Sequence, residues 1–152
     1  MQPNLFNSNL AEIQVSYKSK VKYSEMRKII SSKDAEEILR NVWSNVMELR
    51  EEFYMLVLNR ANKVLGYYLI SQGGTAGTVV DPKLIFSVAL KCHASAIILA
   101  HNHPSGNTKP SEADLKLTKN LVAGGKLLEI SVLDHLILTS ENFFSFADEG
   151  LM

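Results

Sequence analysis

Residues 101–114, His101-Asn102-His103-Pro104-Ser105-Gly106-Asn107-Thr108-Lys109-Pro110-Ser111-Glu112-Ala113-Asp114, follow directly on the apolar run Ser95-Ala96-Ile97-Ile98-Leu99-Ala100. That run reads as a buried strand, and a chain leaving a strand is still extended. His101 and His103, two residues apart, therefore project to the same side. After the Gly/Pro loop, Ser111 and Asp114 stand where the chain can turn into a helix and bring a carboxylate back beside the imidazoles. Two imidazoles and one carboxylate form a three-ligand set typical of catalytic zinc, which keeps a fourth position open for water. The stretch predicts a metal site and points to hydrolysis.

The pattern on either side predicts an α/β protein. Ile13, Val15 and Tyr17 alternate with polar residues, as in an edge or half-buried strand, while residues 1–10 are polar and aperiodic. Ala35, Ile38, Leu39, Val42, Val46 and Leu49 fall on one helical stripe, with Ser32 as N-cap and Asp34, Glu36 and Glu37 in the first turn. Phe53-Tyr54-Met55-Leu56-Val57-Leu58 is continuous enough for a strand covered on both faces, and residues 64–70 read as its hairpin return. Gly73-Gly74-Thr75-Ala76-Gly77 is a flexible connection. Asp81-Pro82 opens a helix that turns Leu84, Ile85, Val88, Ala89 and Cys92 inward. A third helix is expected from Ser111 to about Val122, stopping at Gly124-Gly125. Residues 128–133 and 135–139 read as two further strands, and residues 141–152 as a short helix. Alternating strands and helices predict a mixed sheet with helices on both sides. Residues 1–31 are an arm with a possible edge strand, and residues 32–152 the catalytic unit.

At 152 residues the chain is one domain by length, with 46% hydrophobic and 21% charged residues. Sixteen basic side chains balance sixteen acidic ones, so nothing draws the whole molecule to nucleic acid. The local exception is Lys18-Ser19-Lys20-Val21-Lys22 with Arg27 and Lys28, a run that by itself reads as a solvated connector. No apolar stretch approaches the roughly 20 residues that span a bilayer, and no secretory signal is visible. A lone cysteine, Cys92, fits a small core residue and a reducing, cytoplasmic setting.

Hydrolysis also needs a carboxylate to accept a proton from water and a donor to steady the developing oxyanion. Ser111 is placed for the second task. For the first, Glu51 and Glu52 stand at the mouth of the strand that begins at Phe53, and strand phase decides between them.

The string His-x-His-Pro, six residues, Ser, two residues, Asp closely resembles the JAMM (MPN/JAB) metalloprotease motif. Residues 96–106, Pro110-Ser111, Asp114 and Val132-Leu133-Asp134-His135, with Ser145-Phe146-Ala147-Asp148-Glu149-Gly150, resemble the bacterial RadC family. The likeness covers about residues 50–150. It implies a cytidine-deaminase-like α/β/α sandwich of JAMM/MPN type, with Zn2+ held by His101, His103 and Asp114. It also selects Glu52 as general base and Ser111 as oxyanion donor, with a peptide or isopeptide substrate. RadC proteins carry a historical DNA-repair label. Their longer forms have an N-terminal helix-hairpin-helix region that residues 1–50 are too few to supply, so the chain resembles a short form. The glycine-rich loop at residues 73–78 departs from the family's usual sequence.

Each assignment has a plainer counterpart. Ser111 and Asp114 can be only a capping pair, and one pair of side chains can serve both roles. His101 and His103 can be loop histidines, although two of the chain's four His at a buried strand's end favour ligation. His93 suits a helix C-terminus. His135, beside Asp134, either supports the site or merely packs. His101-Asn102-His103 is not the signature of the HNH nucleases, whose residues are dispersed through a ββα element. Trp43 lies beside a core stripe. The expectation is a zinc-dependent metallohydrolase; its rivals are a nucleic-acid-associated protein with a vestigial metal site, and a catalytically inert association scaffold.

Overall fold

The computed structural model describes residues 9–74 and 77–152. Their elements run in the order α1 (Ser32–Val42), β1 (Glu52–Leu58), β2 (Val64–Gln72), α2 (Pro82–Lys91), β3 (Ala96–Asn102), α3 (Glu112–Leu127), β4 (Ser131–Leu138) and β5 (Phe143–Ser145). The sheet order is β2-β1-β3-β4-β5. Only the β3–β4 pair is parallel, joined by the α3 crossover that such a pair requires.

Every residue of β1 and of β3 is buried, as their unbroken apolar runs demand. Alternate side chains leave opposite faces. Tyr54, Leu56, Leu58, Ile98 and Ala100 pack beneath Ala35, Leu39 and Trp43 on the α1 side. Phe53, Met55, Val57, Ile97 and Leu99 meet Ile85 and Ala89 of α2 and Leu121 of α3 on the other. This five-stranded mixed sheet between helices is the α/β/α architecture expected. Shortening a fully buried side chain such as Leu39 to alanine costs about 2–5 kcal/mol in cores of this kind. No helix among the described residues is long and apolar enough to cross a membrane.

Several expectations are corrected. Ile13, Val15 and Tyr17 form no strand: they have no ladder partner, and Ile13 is 87% exposed. The polar arm foreseen at residues 1–10 lies largely outside the described residues. Ile29, which falls within the expected arm, is buried in the α1-side core. Ser31, not Ser32, caps α1, and Glu36 is buried on it, ion-paired with Lys33 and Arg40. α1 ends at Val42, so Val46 and Leu49 leave the stripe for a turn.

α3 runs straight through Gly124 and Gly125. A Cβ at Gly125 would lie 2.3 Å from the Ile130 carbonyl oxygen, so that glycine serves a close approach rather than a stop. The chain instead reverses at Glu129, whose φ is +57°. Residues 128–133 and 135–139 are not two strands. Asp134 stays inside β4 because Ser145 Oγ and the backbone N–H groups of His135 and Ala147 all donate to its carboxylate. The tail forms β5 and turns instead of a helix, since Phe143, Phe144 and Ser145 pair with Leu138, Ile137 and Leu136.

Candidate metal centre

β3 carries the sheet to its open end. His101 follows Ile97 and Leu99 on the α3 face and stacks on Phe53, with ring centroids 5.9 Å apart and planes at 3°. The His103 N–H donates to the Leu138 carbonyl at 2.9 Å, which keeps the chain extended one step beyond the strand. Its imidazole therefore returns to the side of His101. Gly106, at φ +84°, turns the loop back. Ser111 then opens α3 with a capping box: Asp114 N–H donates to Ser111 Oγ at 3.1 Å, and Ser111 N–H donates to Asp114 Oδ2 at 2.8 Å.

These three elements bring His101, His103 and Asp114 together, with one potential ligand atom from each within 4.8 Å of the others. The two Nε2 atoms are 3.0 Å apart, His101 Nε2 is 3.3 Å from Asp114 Oδ1, and His103 Nε2 is 3.3 Å from Asp114 Oδ2. A tetrahedral ion with bonds of about 2.0–2.1 Å separates its ligands by about 3.3–3.4 Å, so this donor set suits zinc in both chemistry and spacing. His103 Nδ1 donates to the Asn107 carbonyl at 2.7 Å, so its lone pair is at Nε2 and faces the cluster. His103 and Asp114 remain 14% and 17% exposed, leaving one side of the cluster open.

The electrostatics fit an anion held between imidazoles. Burial works to raise the Asp114 pKa, but the imidazoles of His101 and His103, each 3.3 Å from one of its oxygens, hold it far below the usual carboxylate range. The nearby Asp114 carboxylate favours the protonated form of His103 and so raises its pKa against burial, and Glu51 adds a smaller push in the same direction.

The structure does not bring Glu52 to this cluster. Register pairs Phe53 with His101, so residue 52 shares the opposite face with Tyr54. There its carboxylate is fully buried, accepting from Ser44 Oγ at 2.6 Å and Gln72 Nε2 at 3.2 Å, with Arg50 at 3.7 Å. Glu51, one residue earlier, is half-buried, and its charge acts on His103. Its backbone is gripped by the glycine loop: Glu51 N–H donates to the Gly74 carbonyl, and Gly73 N–H to the Glu51 carbonyl. A Cβ on Gly73 would lie 2.0 Å from the Gly77 carbonyl oxygen, and Gly77 adopts φ +140°, which accounts for those two glycines. Thr75 and Ala76 of that loop lie outside the described residues.

Residues 29–151 match the family of the RadC-like JAB domain. The chain belongs to the RadC family. It is 44% identical over 127 residues to a UPF0758 protein of Flavobacterium johnsoniae, covering 84% of this chain and 55% of that one. It is 45% identical over 103 residues to the UPF0758 protein YfjY of Escherichia coli, covering 68% and 64%, and 45% identical over 104 residues to a Porphyromonas gingivalis relative, covering 68% and 46%. The chain thus spans about half to two thirds of the length of these curated relatives.

Within this RadC domain, sequence reading missed two supports and left a third open. Asn102, fully buried, accepts from Glu52 N–H and donates to the carbonyls of Met47 and Arg50, which ties the loop before β1 to β3 and so positions Glu51. Its place between the two histidines was the available signal. Thr118, one turn after Asp114, gave no signal of its own. His135, held open between support and packing, lies 2.8 Å from His101 and belongs to the site.

Proposed function

We propose that this RadC-like domain is a zinc-dependent metallohydrolase that cleaves a peptide or isopeptide bond. The observation that carries this reading is the convergence of His101, His103 and Asp114 at zinc-ligand spacing on a partly open surface. His101 and His103 would hold the ion through Nε2 and Asp114 through its carboxylate. When bound there, the ion would supply Lewis-acid polarisation of the carbonyl and a lowered pKa for water.

The chain's own residues do the rest. Glu51, whose charge acts on His103, takes the proton from the attacking water and delivers it to the leaving amine. This places the base one residue earlier than the family likeness alone selected. The oxygen of Ser111 already accepts from Asp114 N–H, so the Ser111 hydroxyl proton is free to donate to the tetrahedral oxyanion.

Elemental analysis of purified protein tests the metal. Wild type should carry about one zinc per chain and His103→Ala far less; wild-type protein that takes up no zinc when supplied with it overturns the reading. Glu51→Gln should retain zinc and lose hydrolysis of a screened peptide or isopeptide substrate, while Glu52→Gln keeps both. Turnover by Glu51→Gln at the wild-type rate would remove Glu51 from the mechanism.

A second reading, nucleic-acid association with the metal as a structural feature, has its own observation. Lys18, Lys20, Lys22, Arg27 and Lys28 face a single acid, Glu25, within residues 17–28 of a chain whose formal charge is zero. Tyr17 donates its hydroxyl proton to the Leu65 carbonyl at 3.3 Å, which anchors the start of this segment on β2, the strand that carries the exposed Tyr67 and Tyr68. Basic groups next to exposed aromatic rings suit single-stranded nucleic acid. It requires salt-dependent binding of an oligonucleotide, weakened when Lys18, Lys20 and Lys22 are neutralised. No binding at low salt removes it.

A further inference from the structure

His135 is fully buried and has no part in the chemistry proposed above. Yet both of its ring nitrogens are engaged. Nε2 is 2.8 Å from His101 Nδ1, and Nδ1 is 2.6 Å from Thr118 Oγ1. Thr118 Oγ1 in turn is 2.7 Å from the backbone carbonyl oxygen of Asp114. The chain of contacts begins and ends on the same residue, whose carboxylate faces His101 Nε2.

Only one arrangement of protons satisfies these contacts with neutral imidazoles. A carbonyl oxygen can only accept, so the single hydroxyl proton of Thr118 goes to the Asp114 carbonyl. Thr118 Oγ1 must then accept from His135, which places a proton on His135 Nδ1. That leaves a lone pair on His135 Nε2, which must accept from His101 Nδ1–H. His101 Nε2 is left bare, with its lone pair directed at His103 and Asp114.

We propose that Thr118 and His135 are positioning residues that dictate the tautomer of His101, with the Asp114 carbonyl as the fixed acceptor that starts the relay. The inference rests on the metal reading above and deepens it: the same residue that offers a carboxylate to the ion also commits His101 to present Nε2.

Packing holds the relay in line. The His135 ring stacks on Phe146 with centroids 4.7 Å apart and planes at 12°, and Phe53 tilts against it at 5.4 Å while stacking on His101. The ring reaches that place through a bulge. β3 pairs Ile97 with Val132 but Ile98 with Asp134, so Leu133 is the extra residue. Val132 packs on the α3 side, and an unbroken strand would turn the residue three positions later to the opposite face. The bulge returns His135 to the face of Thr118 and His101.

Nitrogen-15 NMR of the imidazoles tests the relay in the full chain, without metal and at a pH where the rings are neutral. The expected result is a proton on Nδ1 and none on Nε2 for both His101 and His135. A proton on His101 Nε2 overturns the proposal. Thr118→Val, which preserves shape and removes the hydroxyl, and His135→Phe should each weaken cobalt or zinc affinity about ten- to hundred-fold, the usual scale for loss of a ligand's supporting partner. His135→Gln, whose amide can accept at one end and donate at the other, should recover most of that loss.

Folded Thr118→Val and His135→Phe proteins that bind metal like wild type overturn the proposal. If both variants fail to fold, the wild-type tautomers decide it. Wild-type protein that binds no metal but shows both Nδ1–H signals supports the relay and overturns the metal reading instead.

Discussion

α1 and α3 begin with the same device. Ser31 and Asp34 at one helix, Ser111 and Asp114 at the other, form reciprocal capping boxes in which a serine oxygen accepts an N–H and an aspartate accepts one back. Their surroundings differ. Asp34 is half-buried and accepts from the N–H groups of Ile30 and Ser31 at 2.9 and 3.0 Å, with Arg27 as its nearby charge. Asp114 accepts from Ser111 N–H and also faces two imidazoles brought by β3. A capping box fixes where a carboxylate sits on its own helix; what the sheet places opposite decides whether it can become a ligand.

The largest expected difference is in metal uptake. Asp114→Asn should lower zinc affinity by more than the roughly hundred-fold that loss of a supporting partner can cause, whereas Asp34→Asn leaves it unchanged. A competition titration with a chromophoric chelator reads both, and equal affinities would erase the contrast between the two boxes.

The serines come next. Ser31→Ala and Ser111→Ala should each cost about 0.5–2 kcal/mol of stability in a denaturant titration, as cap removal generally does. Only Ser111→Ala should also slow turnover, by about 10²–10³-fold if its hydroxyl is an oxyanion donor. Full turnover in Ser111→Ala would reduce it to a cap like its counterpart.

The smallest effect concerns pH. Backbone N–H groups of Ile30 and Ser31 hold the Asp34 pKa below its ordinary value of 3.8. A depressed carboxylate pKa adds stability above the ordinary value and loses it as pH falls through the lowered one. Asp34→Asn should therefore flatten the acid side of the Tm profile slightly, with metal uptake untouched. An unaltered profile would show that the first box contributes no measurable charge effect.

Much of the molecule was legible because local signals agreed with one another. Asp81-Pro82 opens α2 as written, and the apolar runs of β1 and β3 are buried end to end. His101, His103 and Asp114 converge because extended geometry and a capping box are local rules. The errors fall where a distant neighbour overrides such a rule. Gly124 and Gly125 looked like a helix stop, but they make room for Phe86 and the Ile130 carbonyl. Asp134 looked like a break between strands until Ser145 and Ala147 satisfied it. Glu52 was selected by family likeness, yet the register that pairs Phe53 with His101 turns residue 52 to the opposite face from the histidines.

By itself, the sequence determined the alternation of strands and helices and the three groups that can share an ion, since each follows from periodicity, caps and spacing along a few residues; the family entered through the likeness of its motifs. Only the tertiary structure decided that Glu52 turns away from the histidines and that His135 lies beside His101. Both depend on strand register and on a bulge at Leu133. Register is set by partners far away in the chain, and a shift of one residue exchanges the two faces of a sheet.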